Sequence, residues 1–258
     1  MKILAAGPWI GEFGYELFRW QGYLRSLSKE YDKVIISSRP NHDIIYKDFC
    51  NEFIPYTSDV SNCSSYRNYK TEYNDSIFSS YEYTDLIKPT SRWSIDPIYI
   101  KYGKFSEEKK YDIIIHARNI KMEKAELETD IKYKEKRNWS FKNWEIIINY
   151  IKKKNLKCCT IGRTNSAFSF PDVDNLLDIP LFELADILRS SKLIIGPSSG
   201  PIHFASLCGC PQLVWTSKVN INKYKTLWNP FNTSVTLIID EKWNPNPNKI
   251  IHSLNEKF

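Results

Sequence analysis

A short segment rich in serine and glycine, Gly196-Pro-Ser-Ser-Gly-Pro-Ile-His203, has the residue types and spacing to bind phosphate. The apolar run Leu193–Ile195 predicts a strand before it, and Pro201 indicates the start of a helix, because proline favours the first helical position. The segment therefore contains a helix N-terminus, whose main-chain N–H groups and positive dipole end favour a diphosphate. The predicted phosphate-binding residues are Ser198, Ser199, Gly200 and His203.

Two other segments place polar or cationic groups at predicted strand ends. The apolar strand 111–116 ends in His116-Ala-Arg118, and the apolar strand 157–161 is followed by Gly162-Arg163. An arginine can donate two parallel hydrogen bonds to a phosphate, and a histidine can add another. Ligands of open parallel sheets bind beyond the carboxyl ends of the strands. We therefore expect His116, Arg118, Gly162 and Arg163 to contribute to a site for a diphosphate or nucleotide, Arg163 as a contact of the base or of the phosphate. Arg137-Asn138-Trp139 is a further candidate for the border of the cleft.

The first segment carries a family resemblance. Together with Ala205 and Gly209-Cys-Pro211 it resembles the nucleotide-sugar-binding signature of heptosyltransferase-like glycosyltransferases (glycosyltransferase family 9 and relatives), which reads G-x-D/S-S-G-x-x-H-x-A followed by G-x-P. The match covers about 16 positions and, with the upstream segments, extends over roughly residues 111–215. The N-terminal half matches only through a glycine-containing loop after the first strand.

The resemblance implies a fold and an activity. It implies the GT-B fold, in which two Rossmann-like α/β domains have parallel sheets that face each other across a cleft. It also implies a metal-independent, inverting transfer of a sugar from a nucleotide-diphosphate sugar to an acceptor hydroxyl, with the donor held mainly by the C-terminal domain and no resident cofactor.

The N-terminal glycine loop, Gly7-Pro-Trp-Ile-Gly11-Glu12-Phe-Gly14-Tyr-Glu16, is the predicted acceptor side. Glycines allow a ligand to approach the backbone closely, so Gly11 and Gly14 are predicted to line this site. Transfer to a hydroxyl needs a general base. Glu12 in the loop is the predicted base; Glu16, in the first helical turn, is the alternative base or a partner of the helix dipole.

Two rival motifs point elsewhere. The same loop could bind NADP, with Arg39 after the next strand meeting the 2′-phosphate. Its glycine spacing, however, is G-x-x-x-G-x-x-G rather than G-x-G-x-x-G.

Asp172-Val-Asp174 has the D-x-D form that can hold a divalent cation against a diphosphate. It follows Pro171, and we predict a surface loop there and no bound metal.

The elements that must position these residues alternate between strand and helix. Continuous apolar strands separated by amphipathic helices indicate parallel sheets covered on both faces. Two such runs occur, which predicts an N-terminal Rossmann-like domain over residues 1–105 and a C-terminal one over 106–258, with the last helix free to pack back on the first domain. Residues 56–93 have weak periodicity and are predicted to be irregular, with one short helix.

Composition limits the compartment and the partners. The 258 residues contain no apolar run of the roughly 18 residues that a membrane helix needs. The six cysteines have no zinc-ligand spacing, so we predict reduced thiols in a cytoplasmic protein. Residues 101–157 hold 16 Lys and Arg against 9 Asp and Glu, a charge that suits a solvated helix face or an anionic partner.

The acceptor stays open among a glycan, a lipid-linked sugar and a nucleic acid. Aromatic faces stack on sugars and on bases, and one polar stretch is crowded with Tyr56, Tyr66, Tyr69, Tyr73, Tyr81, Tyr83 and Trp93. These rings also suit packing of a loop against a sheet. The remaining alternatives are a DNA-modifying glycosyltransferase, an NADP-dependent oxidoreductase and a non-catalytic nucleotide-binding protein.

Overall fold

The chain forms two compact α/β units, Met1–Ile100 and Lys101–Phe258, in a computed structural model. The structure describes residues 1–57, 75–89, 95–120 and 136–258. Each unit is built on a parallel sheet, as the sequence predicted. Of the aromatic residues considered above, Tyr66, Tyr69, Tyr73 and Trp93 lie outside the described residues.

The described part of the first unit contains a four-stranded parallel sheet. Its strands are β1 (Ile3–Ala6), β2 (Lys33–Ser38), β3 (Glu52–Pro55) and β4 (Asp85–Ile87), in the order β3-β2-β1-β4. Its helical elements are α1 (Phe13–Tyr15), a π-helical segment (Glu16–Trp20), α2 (Gln21–Leu27) and 3-10 turns at Ser28–Glu30, Asp43–Ile45 and Asp75–Phe78. The predicted strand over 2–6 and helix over 15–29 are thus confirmed within a few residues.

The helix after β1 is held by its apolar face. Leu17, Trp20 and Leu24 recur at helical spacing and are completely buried. The Trp20 ring stacks on Trp9 of the glycine loop, with centroids 5.5 Å apart. The loop is therefore packed against the helix that it leads into.

The described part of the second unit contains six parallel strands. They are β5 (Tyr111–Ile115), β6 (Cys158–Gly162), β7 (Asp174–Leu177), β8 (Ser191–Pro197), β9 (Gln212–Thr216) and β10 (Val235–Ile239), in the order β10-β9-β8-β5-β6-β7. The helices are α3 (Phe141–Lys153), α4 (Leu181–Arg189), α5 (Gly200–Cys208), α6 (Ile221–Lys225) and α7 (Pro247–Asn255), with a 3-10 turn at Lys218–Asn220.

One face of this second sheet carries a tryptophan-rich core. Ser140 caps α3 by accepting from the Asn143 N–H at 3.2 Å. The Trp215 ring of β9 lies 5.3 Å from Trp144 of α3, and Trp139 contacts both rings. Residues from three strands and α3 complete the core, including Ile113, Ile115, Ile147, Ile151, Leu193, Ile195 and Leu213.

The last helix belongs to the second unit. Ile250 and Leu254 of α7 are fully buried in the same core, where they pack with α3. The sequence analysis left this helix free to pack on the N-terminal domain. The two residues lie one helical turn apart, and that apolar face is buried by the α3 side of the C-terminal sheet.

Three short strands were not predicted. Strands β3, β4 and β7 have three or four residues each, none of them fully buried, so they lack the continuous apolar signal of the central strands. The prediction that Asp174 lies in a loop is therefore wrong, because this residue begins β7. No helix within the described ranges is long and apolar enough to cross a membrane.

Candidate functional site

The N-terminus of α5 lies at the carboxyl end of β8. Ser199 is the N-cap residue with extended backbone angles, and Pro201 occupies the first turn. The side chain of Ser199 makes no capping hydrogen bond to the helix. The first-turn N–H groups of Gly200 and Ile202 have no carbonyl partner inside the helix, since the i−4 residues precede it. This is the arrangement that an anion can complete.

The reason for the missing cap is His116. The imidazole Nδ1 of His116, directly after β5, lies 2.8 Å from the Ser199 hydroxyl oxygen. Both side chains are buried. The hydroxyl is therefore turned toward the sheet rather than toward the helix amides, although serine is among the preferred N-cap residues. His116 and Ser199, both predicted site residues, are brought together by the neighbouring strands β5 and β8.

Both histidines of the site are neutral at physiological pH. Burial, with Arg118 and Arg137 adding repulsion, lowers the pKa of His116 to about 3. Burial, with Arg137 and Lys223 adding repulsion, lowers the pKa of His203 to about 3 as well. Each imidazole can therefore donate one hydrogen bond and accept another. The positive charge of the site comes from Arg118, Arg137 and Lys223.

Two arginines, Arg118 and Arg137, place positive charge near His116 and the segment before α5. The Arg118 backbone N–H donates to the His116 carbonyl at 2.9 Å, and an isolated bridge joins Arg118 to Ala167. Its side chain is buried. Arg137 donates from Nη1 to the Ser198 carbonyl at 3.2 Å and lies over the Trp243 ring. The candidate border residue Arg137 is thus bonded directly to the predicted phosphate-binding segment.

Sequence reasoning missed an aromatic group next to His203. The Tyr224 hydroxyl donates to the Ser198 Oγ at 2.8 Å. The His203 ring lies 5.7 Å from the Tyr224 ring and 4.4 Å from the Trp228 ring. Burial raises the pKa of Tyr224 well above its ordinary value, so it stays a hydroxyl donor. The aromatic pair at i and i+4 could have indicated this short helical segment.

Gly162 and Arg163 end β6 next to His116. Gly162 has φ +141°, and a Cβ there would lie 2.6 Å from the Ala167 Cβ and 3.5 Å from the His116 ring. Glycine is therefore required by the backbone angle and by the close approach of Ala167. Arg163 follows with an exposed side chain. Its role as a phosphate contact stays a prediction.

The D-x-D carboxylates have protein partners. Asp172 pairs with Lys152 at 2.9 Å, and Asp174 accepts from the Tyr111 hydroxyl at 3.0 Å. Within the described ranges no group of three or more His, Cys, Asp or Glu residues is placed to hold a metal ion.

In the first unit, the glycine loop runs against β2. Gly7 has φ +117°, and a Cβ there would overlap the Ser37 carbonyl oxygen. Gly11 is buried, and Gly14 lies within α1. Glu12 is the N-cap residue of α1, and its side chain is exposed. The loop therefore presents the Glu12 carboxylate to solvent while its backbone is fixed.

Glu16 is completely buried, in contrast to Glu12. Its carboxylate accepts from the hydroxyls of Ser38 and Tyr46, the latter at 2.7 Å, and lies 2.8 Å from His42 Nδ1. Burial tends to raise the pKa of Glu16, but His42, Arg39 and Ser38 outweigh it and hold the pKa below its ordinary value. Glu16 therefore stays ionised as the centre of a polar network.

Arg39 links this network to the glycine loop. Its guanidinium donates to the Ile10 carbonyl and lies 3.8 Å from the Glu16 carboxylate. The NADP alternative assigned this arginine to a 2′-phosphate. The structure directs it instead at the loop, two residues before Glu12.

Comparisons with known proteins support the fold. Neither a protein-family model nor a curated protein sequence matches the chain. The solved structure of the Escherichia coli ADP-heptose LPS heptosyltransferase II is similar over 99% of this chain and 98% of its own, with 12% identity and a TM-score of 0.60. A family 9 glycosyl transferase from Veillonella parvula is similar over 99% and 96%, with 11% identity and a TM-score of 0.61.

A third likeness is to the Escherichia coli heptosyltransferase WaaC, solved with ADP, over all of both chains with 9% identity and a TM-score of 0.58. At such identities the likeness establishes a shared fold. The heptosyltransferase-like, GT-B type of fold that the sequence predicted is confirmed.

Proposed function

We propose that this chain is a glycosyltransferase that moves a sugar from a nucleoside diphosphate sugar to an acceptor hydroxyl. The observation that carries the proposal is the N-terminus of α5, where His116 draws the Ser199 hydroxyl away from the first-turn amides. Arg118 and Arg137 place positive charge beside them. The fold neighbour WaaC was solved with ADP and with ADP-2-deoxy-2-fluoro heptose, which supports a nucleoside diphosphate sugar as the donor class.

The reaction is a single displacement. The acceptor oxygen forms a bond to the anomeric carbon while the bond from that carbon to the diphosphate oxygen breaks. Negative charge grows on the leaving diphosphate, and the Gly200 and Ile202 amides with Arg118 and Arg137 stabilise it. Preorganised donors of this kind contribute about 2.7–4 kcal/mol each to transition-state stabilisation. Because these groups can meet the charge of the leaving diphosphate, we propose that the transfer needs no metal. A single displacement inverts the configuration of the anomeric carbon, so we also propose an inverting transfer, as the family resemblance implies.

The neutral histidines position this machinery. His116 holds Ser199, and His203 packs between Tyr224 and Trp228 beside Ser198. A neutral imidazole can donate one hydrogen bond to a phosphate oxygen without the cost of burying a charge. Arg163, exposed at the end of β6, is proposed as an outer contact of the nucleotide.

Glu12 is proposed as the general base that takes the acceptor proton. Glu12 is exposed, whereas Glu16 is completely buried. Gly11 and Gly14 flank Glu12 and are proposed to line the acceptor side.

The class of acceptor, which is a glycan, a lipid-linked sugar or a nucleic acid, is left to experiment. We propose a cytoplasmic location, and the free thiols of the described cysteines support it.

The test is turnover of nucleotide sugars by the wild type and by Glu12→Gln. Glutamine has a similar shape but cannot take a proton, so kcat should fall about 100-fold or more while the donor dissociation constant stays unchanged. Glu30→Gln, at an exposed carboxylate after α2, is the matched control and should keep full activity.

Two results would count against the proposal in different ways. Full activity of Glu12→Gln would remove Glu12 from the mechanism and leave sugar transfer standing. Failure of the wild type to bind or turn over any of the UDP, GDP, ADP and TDP sugars would remove the function itself.

A further inference from the structure

A second cationic cavity lies at the opposite edge of the six-stranded sheet. It has a volume of about 430 Å³ and is lined at the amino ends of β8 and β9 by Ser191 and Pro211. The candidate phosphate loop follows the carboxyl end of β8, which has seven residues. At about 3.3 Å per residue, the two ends of this strand are roughly 20 Å apart. The cavity is therefore separate from the proposed donor site.

Among the residues that the structure describes, four cationic side chains line this cavity and no acidic side chain does. They are Lys101, Lys109, Arg189 and Lys192. Of these four side chains, Lys192 alone has a carboxylate partner within the described ranges, Asp112 at 2.7 Å. Arg189 donates to the Tyr102 carbonyl, and Lys109 lies over the Phe105 ring. These contacts orient the side chains without neutralising them.

The charge around the cavity remains positive after its offsets are counted. Asp112 neutralises one lysine, and the carboxylate of Asp186, one turn before Arg189 on α4, acts electrostatically on the lining residue Cys208. Helices α4 and α5 end at Arg189 and Cys208, so their negative dipole ends offset about half a charge each. Roughly one positive charge of the four is left. Bringing like charges around one concavity is unfavourable, and a bound anion relieves it.

The chemistry of the lining fits phosphate. Lysines act as point charges, and an arginine offers a planar pair of donors that matches phosphate oxygens. Phe105 is 64% exposed at the rim, which adds an apolar surface beside the charges. We propose that this cavity binds a phosphate group, carried either by a free phosphate compound or by a lipid headgroup. The proposal does not depend on sugar transfer.

The test uses a charge variant and a matched control. Lys101→Gln with Lys109→Gln removes two cavity charges that have no carboxylate partner among the described residues, so the thermal unfolding temperature should hold. Lys153→Gln with Lys249→Gln removes two exposed charges elsewhere on the same unit. Each protein is titrated with pyrophosphate by calorimetry and is sedimented with vesicles of phosphatidic acid in phosphatidylcholine.

The expected result is binding by the wild type and the control, and about tenfold weaker binding by the cavity variant. Pyrophosphate also suits the donor site, which all these proteins retain, so the difference between the two variants reports the cavity. A loss confined to vesicles would assign a lipid headgroup, and a loss with pyrophosphate a free phosphate compound. Equal binding by both variants with both probes, or no binding by the wild type, would overturn the proposal.

Discussion

The two glutamates of the glycine loop show how environment assigns different roles to one residue type. Glu16 is enclosed by Ser38, His42 and Tyr46, which satisfy both carboxylate oxygens. Glu12 lies four positions earlier and is exposed. A buried charge is stable only when it is paired and hydrogen-bonded, so Glu16 is held to the fold, whereas Glu12 can meet a substrate.

Glu16 should make the stability of the protein depend on pH. Its pKa is held below the ordinary value of 4.5 in the folded state, so its contribution is present above that value. The contribution is lost as the pH falls through the folded pKa. Glu16→Gln should lower the free energy of unfolding by about 1–3 kcal/mol at neutral pH.

The measurement is urea unfolding from about pH 6 to about pH 3. Wild-type stability should fall more steeply over this range than that of Glu16→Gln, and the two curves should approach each other in acid. If the two curves of stability against pH ran parallel, the pKa of Glu16 would not be lowered in the folded state.

Residue types alone indicated candidate residues for the site, but not the contacts between them. The sequence indicated Ser199 and His116 as phosphate ligands, because serine at a helix start and histidine at a strand end have that chemistry. It could not indicate that these side chains bond to each other, since 83 positions separate them. The polar network of Glu16 was missed for the same reason, since Tyr46 lies 30 positions away.

Among the strands and helices, those with a continuous buried apolar face were the ones that the sequence predicted. The central strands β5 and β8 and helix α3 are long and apolar on their buried faces, so their periodicity was clear. Strands β3, β4 and β7 are short, and their residues are half-buried or exposed. They are stabilised by pairing with a longer neighbour, and this pairing leaves no local signal in the sequence.

Helix α3 offers a matched test of its buried face. Ile147 is completely buried in the tryptophan-rich core, and its neighbour Ile146 is 39% exposed. Ile147→Ala should cost about 2–5 kcal/mol of stability by removing core contacts and leaving a cavity. Ile146→Ala should change stability by about 0.5 kcal/mol or less. Chemical denaturation checks both, and equal losses would contradict the assigned helix face.

At the scale of the whole molecule, the residues proposed to bind the diphosphate belong to one unit. His116, Arg118, Ser199, His203 and Tyr224 all lie within Lys101–Phe258. That unit has its own sheet and core. The sequence predicted two domains, 1–105 and 106–258, because two separate runs of apolar strands and helices follow one another along the chain.

A fragment of residues 101–258 should therefore fold and bind a nucleoside diphosphate about as tightly as the full chain. It should transfer no sugar, because the proposed base is absent. Circular dichroism would establish folding, and calorimetry would compare the dissociation constants. A folded fragment that binds no nucleotide would place essential donor contacts in the first unit.

The central claim is that the first-turn amides of α5 hold the diphosphate. Its most direct test compares two variants, Ser199→Asp and Ser199→Ala. Calorimetry would measure how tightly each binds ADP, UDP, GDP, CDP and TDP. Both variants lose the hydroxyl that His116 holds. Aspartate is a strong N-cap and would occupy the amides with its own carboxylate, whereas alanine leaves them open. The account predicts that Ser199→Ala keeps nucleotide binding within about tenfold of the wild type, and that Ser199→Asp loses about 100-fold or more. Equal affinity of the two variants would contradict it.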